Sequence, residues 1–326
     1  MNNKSKFAYI VGCTYGYIPE LTAMLNSLDF VGNTQDVHIL GIELPEDYVA
    51  KFSELSYNAI HHEITEEEWQ ADHGRSEVVC RKRYWYAAEI GKDYEAVCVL
   101  DADLIWVRNP EPFFEVAAKT GLVVGPSKEQ NKVYDDPHHQ FNGEWMIPEG
   151  YYNRVDLCNC PMFVDPKVWG EAFRKSWEWF ITGFPETNFR APDMDAVNVA
   201  LIKYGSENRT IVLAGVQWLG TNEQLLKPYI RAISDRDLIK TECGFPVYCF
   251  HGQYYKKKWR DCQLDNRHHC ASGYLKADKH DEVINNLDGQ ARGSMNLLYS
   301  YFRKMLDWKI QIEKKNYNHP EMPYEE

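Results

Sequence analysis

Over the first 125 residues, apolar runs of strand character alternate with segments whose apolar residues recur at helical spacing. Phe7–Gly12 (FAYIVG) is an apolar run that reads as a buried strand. Ile18–Leu28 carries its apolar residues at helical spacing, and Val37–Ile42 (VHILGI) predicts a second strand. Ser76 has the chemistry of an N-cap for a helix running to Ile90, with Gly91 as its stop. Ala96–Leu100 (AVCVL) predicts a third buried strand ending on Asp101, and Leu122–Val124 a fourth. Such alternation predicts an α/β fold, a mainly parallel sheet covered by helices. Ligands of such sheets lie outside the carboxyl ends of the strands.

The rhythm breaks after residue 125. Tyr134–Tyr152 (YDDPHHQFNGEWMIPEGYY) is long, polar and aromatic, the composition of a functional loop, and holds His138, His139 and Trp145. Strand character returns at Cys158–Val164, followed by a helix with a Trp-rich face over Val168–Phe180. A further helix is predicted over Asp193–Tyr204, and strands over Ile211–Ala214 and Val247–Phe250, the latter ending at His251. Ser294–Lys315 places Leu298, Tyr301, Phe302, Met305 and Ile312 at helical spacing, predicting an amphipathic helix that docks on the rest of the chain, the alternative being a membrane or partner surface. Internal repeats and low-complexity tracts are not seen.

Composition narrows the class. With 44% hydrophobic and 26% charged residues, the 326-residue chain has the balance of a globular protein. No apolar run approaches the ~20 residues that span a bilayer. The charge count, 36 basic against 48 acidic for a net −12, argues against a broad nucleic-acid footprint or attraction to anionic membranes. Nine cysteines, an odd number without a regular spacing, fit a reduced protein. Together with the polar Met1–Lys6 stretch, which lacks a signal-peptide pattern, they make the cytoplasm the expected location. The 14% aromatic content fits either an aromatic core or platforms for sugar rings.

Two segments carry chemistry. In Val97–Arg108 (VCVLDADLIWVR) an Asp-x-Asp closes an apolar strand. Alternation along an extended chain would aim Asp101 and Asp103 to the same, solvent-facing side. Two hard oxygen ligands there suit Mg²⁺ or Mn²⁺, the alternative being turn or cap carboxylates. In Val247–Trp259 (VYCFHGQYYKKKW) a strand delivers His251, and Lys257 follows six residues later. His is able to complete a metal site and Lys to neutralise a phosphate, although a lysine run is also an ordinary solvated face. Cys262, His268, His269 and Cys270 match no standard zinc spacing. His61 and His62 precede Thr65 and Glu68, which have the spacing of a capping box.

Together these segments resemble glycosyltransferase family 8, the glycogenin and lipopolysaccharide galactosyltransferase group. The opening strand and helix (AYIVGCTYGYIPELTAMLNSL), with Thr14 and Tyr15 in the loop, resemble the family's nucleotide-binding start. Asp101-Ala102-Asp103, followed by NPEPFF, is similar to its metal motif. LCNCPMFVD at Leu157–Asp165 resembles its sugar-contacting strand, and PDMDAVN at Pro192–Asn198 its Asp-Gln-Asp-x-x-Asn helix start. His251, Lys257 and Trp259 keep the spacing of its His…Lys-Pro-Trp ending. Departures occur at Met194, where the family usually has Gln, at Pro161 in place of Gly, and at Lys258 in place of Pro.

The resemblance implies a GT-A-like, Rossmann-type mixed sheet flanked by helices, with a helical C-terminal extension. It implies a catalytic domain over 1–265, with the nucleotide-sugar side at about 1–125 and the acceptor side at about 126–265, and the extension over 266–326. The implied activity is metal-dependent transfer from a nucleoside-diphosphate sugar, most often a UDP-sugar, to a hydroxyl, with a retaining outcome favoured. Asp101, Asp103 and His251 would hold Mn²⁺ or Mg²⁺. Thr14, Tyr15, Arg81, Arg83, Ala102 and Lys257 would contact the nucleotide, and Asn159, Asp193 and Asp195 the sugar centre. The acceptor stays open among a glycan, a lipid-linked glycan, a protein and a modified nucleobase in DNA, and a homo-oligomer is compatible with the sequence. The rival readings are a sugar-nucleotide pyrophosphorylase or nucleotidyltransferase, for which Gly12–Gly16 is a poor phosphate loop, and an inactive nucleotide-sugar-binding module.

Overall fold

The computed structural model describes residues 5–65, 67–68, 75–126, 140–141, 144–145, 157–182, 197, 200, 210–213, 228–230, 239–241, 248–251, 301 and 304–312. Within them the strands are β1 (Phe7–Thr14), β2 (Asp36–Ile42), β3 (Ala59–Glu63), β4 (Ala96–Asp101), β5 (Leu104–Trp106), β6 (Gly121–Pro126), β7 (Gln140–Phe141), β8 (Glu144–Trp145), β9 (Leu157–Val164), β10 (Thr210–Leu213), β11 (Pro228–Ile230), β12 (Ile239–Thr241) and β13 (Cys249–His251). The helices are α1 (Ile18–Phe30), α2 (Glu46–Ala50), α3 (Arg75–Glu89), α4 (Glu111–Thr120) and α5 (Pro166–Thr182).

Seven strands form one sheet in the order β10-β6-β9-β4-β1-β2-β3. β9 runs antiparallel to both of its neighbours, β4 and β6, and the remaining pairs are parallel. The alternating pattern predicts a mainly parallel α/β sheet, and the antiparallel β9 makes it the mixed sheet that the resemblance implies. The apolar run of β1 is buried on both faces because its side chains alternate between two cores. Tyr9, Val11 and Cys13 join a core with α1 and α4, while Ala8 and Ile10 join another with α3 and α5. The aromatic content goes largely into the first core, where Tyr9, Phe114 and Phe163 meet edge to face at 4.9–5.0 Å. Gly121 ends α4 with φ +103 and begins β6 at once, a conformation that side-chain-bearing residues rarely adopt.

Most predicted elements are present with ends moved by a few residues. Ser76 is a correction: α3 already contains Arg75 and Ser76, so Ser76 is not its N-cap. β3 and α4 carry no prediction above; the AIHHE of β3 hides its strand character behind two histidines and a glutamate. The capping box is present, with Thr65 N–H donating to Glu68 Oε2 (3.0 Å) and Glu68 N–H to Thr65 Oγ1 (3.4 Å). Of the helix expected over Asp193–Tyr204, Val197 and Ala200 are described, and both are helical and buried. The long loop Tyr134–Tyr152 is described only at β7 and β8, which pair as a hairpin.

The C-terminal helix docks as its apolar face predicts but stops earlier. Tyr301 and Lys304–Leu306 are helical, whereas Asp307–Ile310 turn and bend. Asn26 of α1, wholly buried, explains the stop. Its Nδ2 donates to the carbonyls of Met305 (2.6 Å) and Ile310 (2.9 Å), and its Oδ1 accepts from the amides of Lys309 (3.3 Å) and Ile310 (3.0 Å). A helix continued past Leu306 would direct these groups along its own axis instead. Residues 266–300, expected to open the extension, lie outside the described residues.

Candidate active site

The strand order places the site. β1 leads to β2 on one side and is flanked by β4 on the other, so the sheet's order reverses between β1 and β4. Crevices at such reversals, beyond the carboxyl ends of the strands, are where open α/β sheets hold ligands. Gly12 pairs with Asp101 across this boundary, so β1 runs two residues further and ends at Thr14. Thr14 is 5% exposed, and its Oγ1 has no hydrogen-bond partner among the described residues. A buried hydroxyl left this way at a strand end fits a ligand contact. Tyr15 opens the short turn that joins β1 to α1.

Asp101 is the last residue of β4, but Ala102 and Asp103 form a turn before β5. The strand alternation expected to carry both carboxylates to one solvent-facing side therefore does not run through the motif. Asp103 is buried at 7% exposure, as is Ala102 at 6%. The Asp101 side chain keeps 29% exposure, and its Oδ1 accepts from Nη1 of Arg83 on α3. Arg83 is itself buried; it also donates to the Leu100 carbonyl (3.4 Å) and to Tyr84 Oη (3.3 Å). Of the two arginines expected at the nucleotide, Arg83 thus lies against the Asp-x-Asp turn, while only the backbone of Arg81 is described. The Asp101 amide is held from the other side, donating to Cys160 Sγ at 3.0 Å. This thiol sits on β9 directly after Asn159, for which the backbone alone is described.

β5 leaves the main sheet and pairs antiparallel with β13. The register sets His251 opposite Leu104, the residue that follows Asp103. Residues 150 positions apart in sequence are thereby brought to one turn, the juxtaposition that a three-ligand site requires. Among the described side chains, no three His, Cys, Asp or Glu groups converge, and the His251 side chain is not one of them. Two carboxylates at a strand-end turn, with a histidine in adjacent register, are a donor set that fits a hard divalent cation. Asp193, Met194, Asp195 and Lys257 lie outside the described residues.

Sequence reasoning missed the Arg83–Asp101 pair and the Cys160 contact. The signal for the first was a run of basic residues, Arg81-Lys82-Arg83, on a helix with aromatic neighbours; which of the three turns inward depends on the helix's rotation against the sheet. Lys82 reaches Glu68 Oε1 at 2.5 Å instead. Among the described residues, Cys13, Cys98, Cys160 and Cys249 are buried in the core.

No protein-family model matches the chain, and no curated protein does. Solved structures do resemble it. An active-site variant of LgtC aligns over 88% of this chain and 99% of its own, with 14% identity and a TM-score of 0.53. The galactosyltransferase LgtC in complex with donor and acceptor sugar analogues aligns over the same shares with a TM-score of 0.51. The bifunctional glycosyltransferase WbbM aligns over 91% of this chain and 52% of its own, with 9% identity and a TM-score of 0.52. At such identities the likeness is one of fold. The chain has the GT-A-like fold of these glycosyltransferases, with its Asp-x-Asp turn at the sheet's point of reversal.

Proposed function

We propose that the chain is a divalent-cation-dependent glycosyltransferase, moving a sugar from a nucleoside-diphosphate sugar, in the first place a UDP-sugar, to an acceptor hydroxyl. The observation that carries this reading is the register of β13 on β5, which sets His251 beside the Asp101–Asp103 turn at the switch point of the fold. Asp101, Asp103 and His251 would hold Mn²⁺ or Mg²⁺. When bound, the cation supplies charge stabilisation to the departing diphosphate. Thr14 and Tyr15 bind the nucleotide at the end of β1, joined by Arg81 and the Ala102 backbone. Arg83 acts on Asp101, orienting one carboxylate oxygen. Lys257 adds positive charge at the diphosphate, where preorganised charge contributes most as the leaving group develops. Asn159, Asp193 and Asp195 orient the sugar, and the outcome is retaining. The catalytic unit spans 1–265 with the C-terminal extension docked on it, and the protein works in the cytoplasm. Among the described residues, no helix is long and apolar enough to cross a membrane.

The test is a donor screen that reads released nucleoside diphosphate across UDP-, GDP- and other activated sugars, with and without Mn²⁺. Alongside it, UDP is titrated into the protein by calorimetry. Mn²⁺-dependent UDP binding with sugar release supports the reading. Binding without transfer or hydrolysis would make the chain a nucleotide-sugar-binding module, and release of pyrophosphate from nucleoside triphosphates a nucleotidyltransferase.

A further inference from the structure

We propose that Tyr301, with the C-terminal residues 304–312, forms a positioning element of the candidate site, acting through Tyr301 on β5 and so on Asp103. The proposal rests on the reading above that Asp103 serves the donor. β5 has three residues, and among the described residues β13 is its one strand partner. A two-stranded ribbon this short is marginal by itself and needs packing from outside. Val107 N–H donates to the Tyr248 carbonyl at 2.9 Å, which fixes the alternation of the ladder. Trp106, one residue back and opposite Cys249, then occupies a non-hydrogen-bonded position. Its amide and carbonyl face away from β13, in a residue that is wholly buried.

Buried backbone groups require partners, and here two side chains supply them. The Trp106 amide donates to Ser27 Oγ of α1 at 3.0 Å, and its carbonyl accepts from Tyr301 Oη at 2.8 Å. Tyr301 is held in turn by its own segment. Its ring packs edge-on against Phe30 at 5.8 Å, and the residues after it are clasped by Asn26. Trp308 Nε1 and Lys309 Nζ both reach Asp29, at 3.0 and 2.9 Å. Lys51 Nζ closes the far end on the Gln311 carbonyl at 2.7 Å. The strap therefore fixes the outer edge of β5 three residues from Asp103, without belonging to the sheet.

The test uses Tyr301→Phe in the full chain, with Tyr57→Phe as its comparison. Tyr57 also donates a buried hydroxyl to a backbone carbonyl, that of Leu25 at 2.8 Å, but the carbonyl belongs to α1 and not to β5. Both variants lose one such bond, so similar falls in Tm are expected. Amide hydrogen exchange at residues 104–106, in protein without nucleotide or metal, should accelerate about fivefold to tenfold in Tyr301→Phe and stay at the wild-type rate in Tyr57→Phe. The Kd for UDP with Mn²⁺ should rise in Tyr301→Phe alone. Exchange at 104–106 that is equal in the two variants would overturn the proposal. So would faster exchange with an unchanged Kd, which would make Tyr301 a structural residue only. If wild-type protein binds no UDP, the proposed function fails, and the exchange comparison alone decides whether the strap holds β5.

Discussion

Asp101→Ala separates two accounts of the Asp-x-Asp motif. A carboxylate at a solvent-facing strand end would leave without cost to the fold. In the structure its removal takes the carboxylate from Arg83, whose side chain is 3% exposed. Deleting one partner of a buried ion pair costs about 3–5 kcal/mol, because the remaining charge is left desolvated. Two features reduce that figure here. Asp101 is 29% exposed, so part of the attraction is screened. Arg83 also keeps the Leu100 carbonyl, Tyr84 Oη and the Tyr84 ring, 5.2 Å from its guanidinium carbon. A loss of about 2–3 kcal/mol remains. At about 2 °C per kcal/mol for a domain of this size, Tm should fall by about 4–6 °C. Asp101→Asn, whose amide oxygen still accepts from Arg83, should lose less. Arg83→Met combined with Asp101→Ala should recover most of the stability, because neither charge is then buried alone. Differential scanning calorimetry and urea titration of the four proteins measure this. An Asp101→Ala protein within about 1 °C of wild type would refute the buried-pair account, and so would a double variant no more stable than the single one.

Other perturbations follow from the same geometry. Tyr94 Oη donates to Asp36 Oδ2 (2.8 Å), so His38 must donate from Nε2 to Tyr94 (2.9 Å) and accept at Nδ1 from His62 (2.8 Å). Burial, aided by the neighbouring His62, lowers the His38 pKa from 6.5 to about 4. The unfolded chain then binds the extra proton first, so stability should fall by about 3 kcal/mol as pH drops from ~6.5 to ~4. Urea midpoints across that range, compared with His38→Gln, should show the variant's acid limb shallower by one proton; identical limbs would refute this. Asn26→Ala leaves the buried amide and carbonyl of Ile310 without their partners and should cost about 3 kcal/mol in thermal and urea unfolding, detaching the C-terminal segment first by hydrogen exchange. Lys257→Ala should lower turnover about 10²–10³-fold at saturating substrates, with Lys256→Ala and Lys258→Ala affected far less. Three equal, small effects would return that run to a solvated face.

Sheet, helices and the end of β4 at Asp101 were legible in the sequence because each rests on local patterning. A strand buried on both faces must be apolar throughout, and an amphipathic helix must repeat with its own turn. The Asp-x-Asp motif and His251 stand out for a related reason: each closes an apolar run at the carboxyl end of its own strand. What the sequence left undetermined is of another kind. β3 was hidden because His61, His62 and Glu63 read as polar, and only pairing with β2 brings His62 against His38, itself bonded to Tyr94, so that both rings have partners. The helix predicted to Lys315 ends at Leu306 because Asn26, some 280 residues earlier, takes the backbone groups that a further turn would have used. Whether Asp101 faces water or a guanidinium depends on the rotation of α3 against β4, a matter of packing between elements. Periodicity determined which residues are inside; the contacts between distant segments determined which buried polar groups meet, since a hydrogen bond needs a partner at about 3 Å and no sequence spacing fixes that distance.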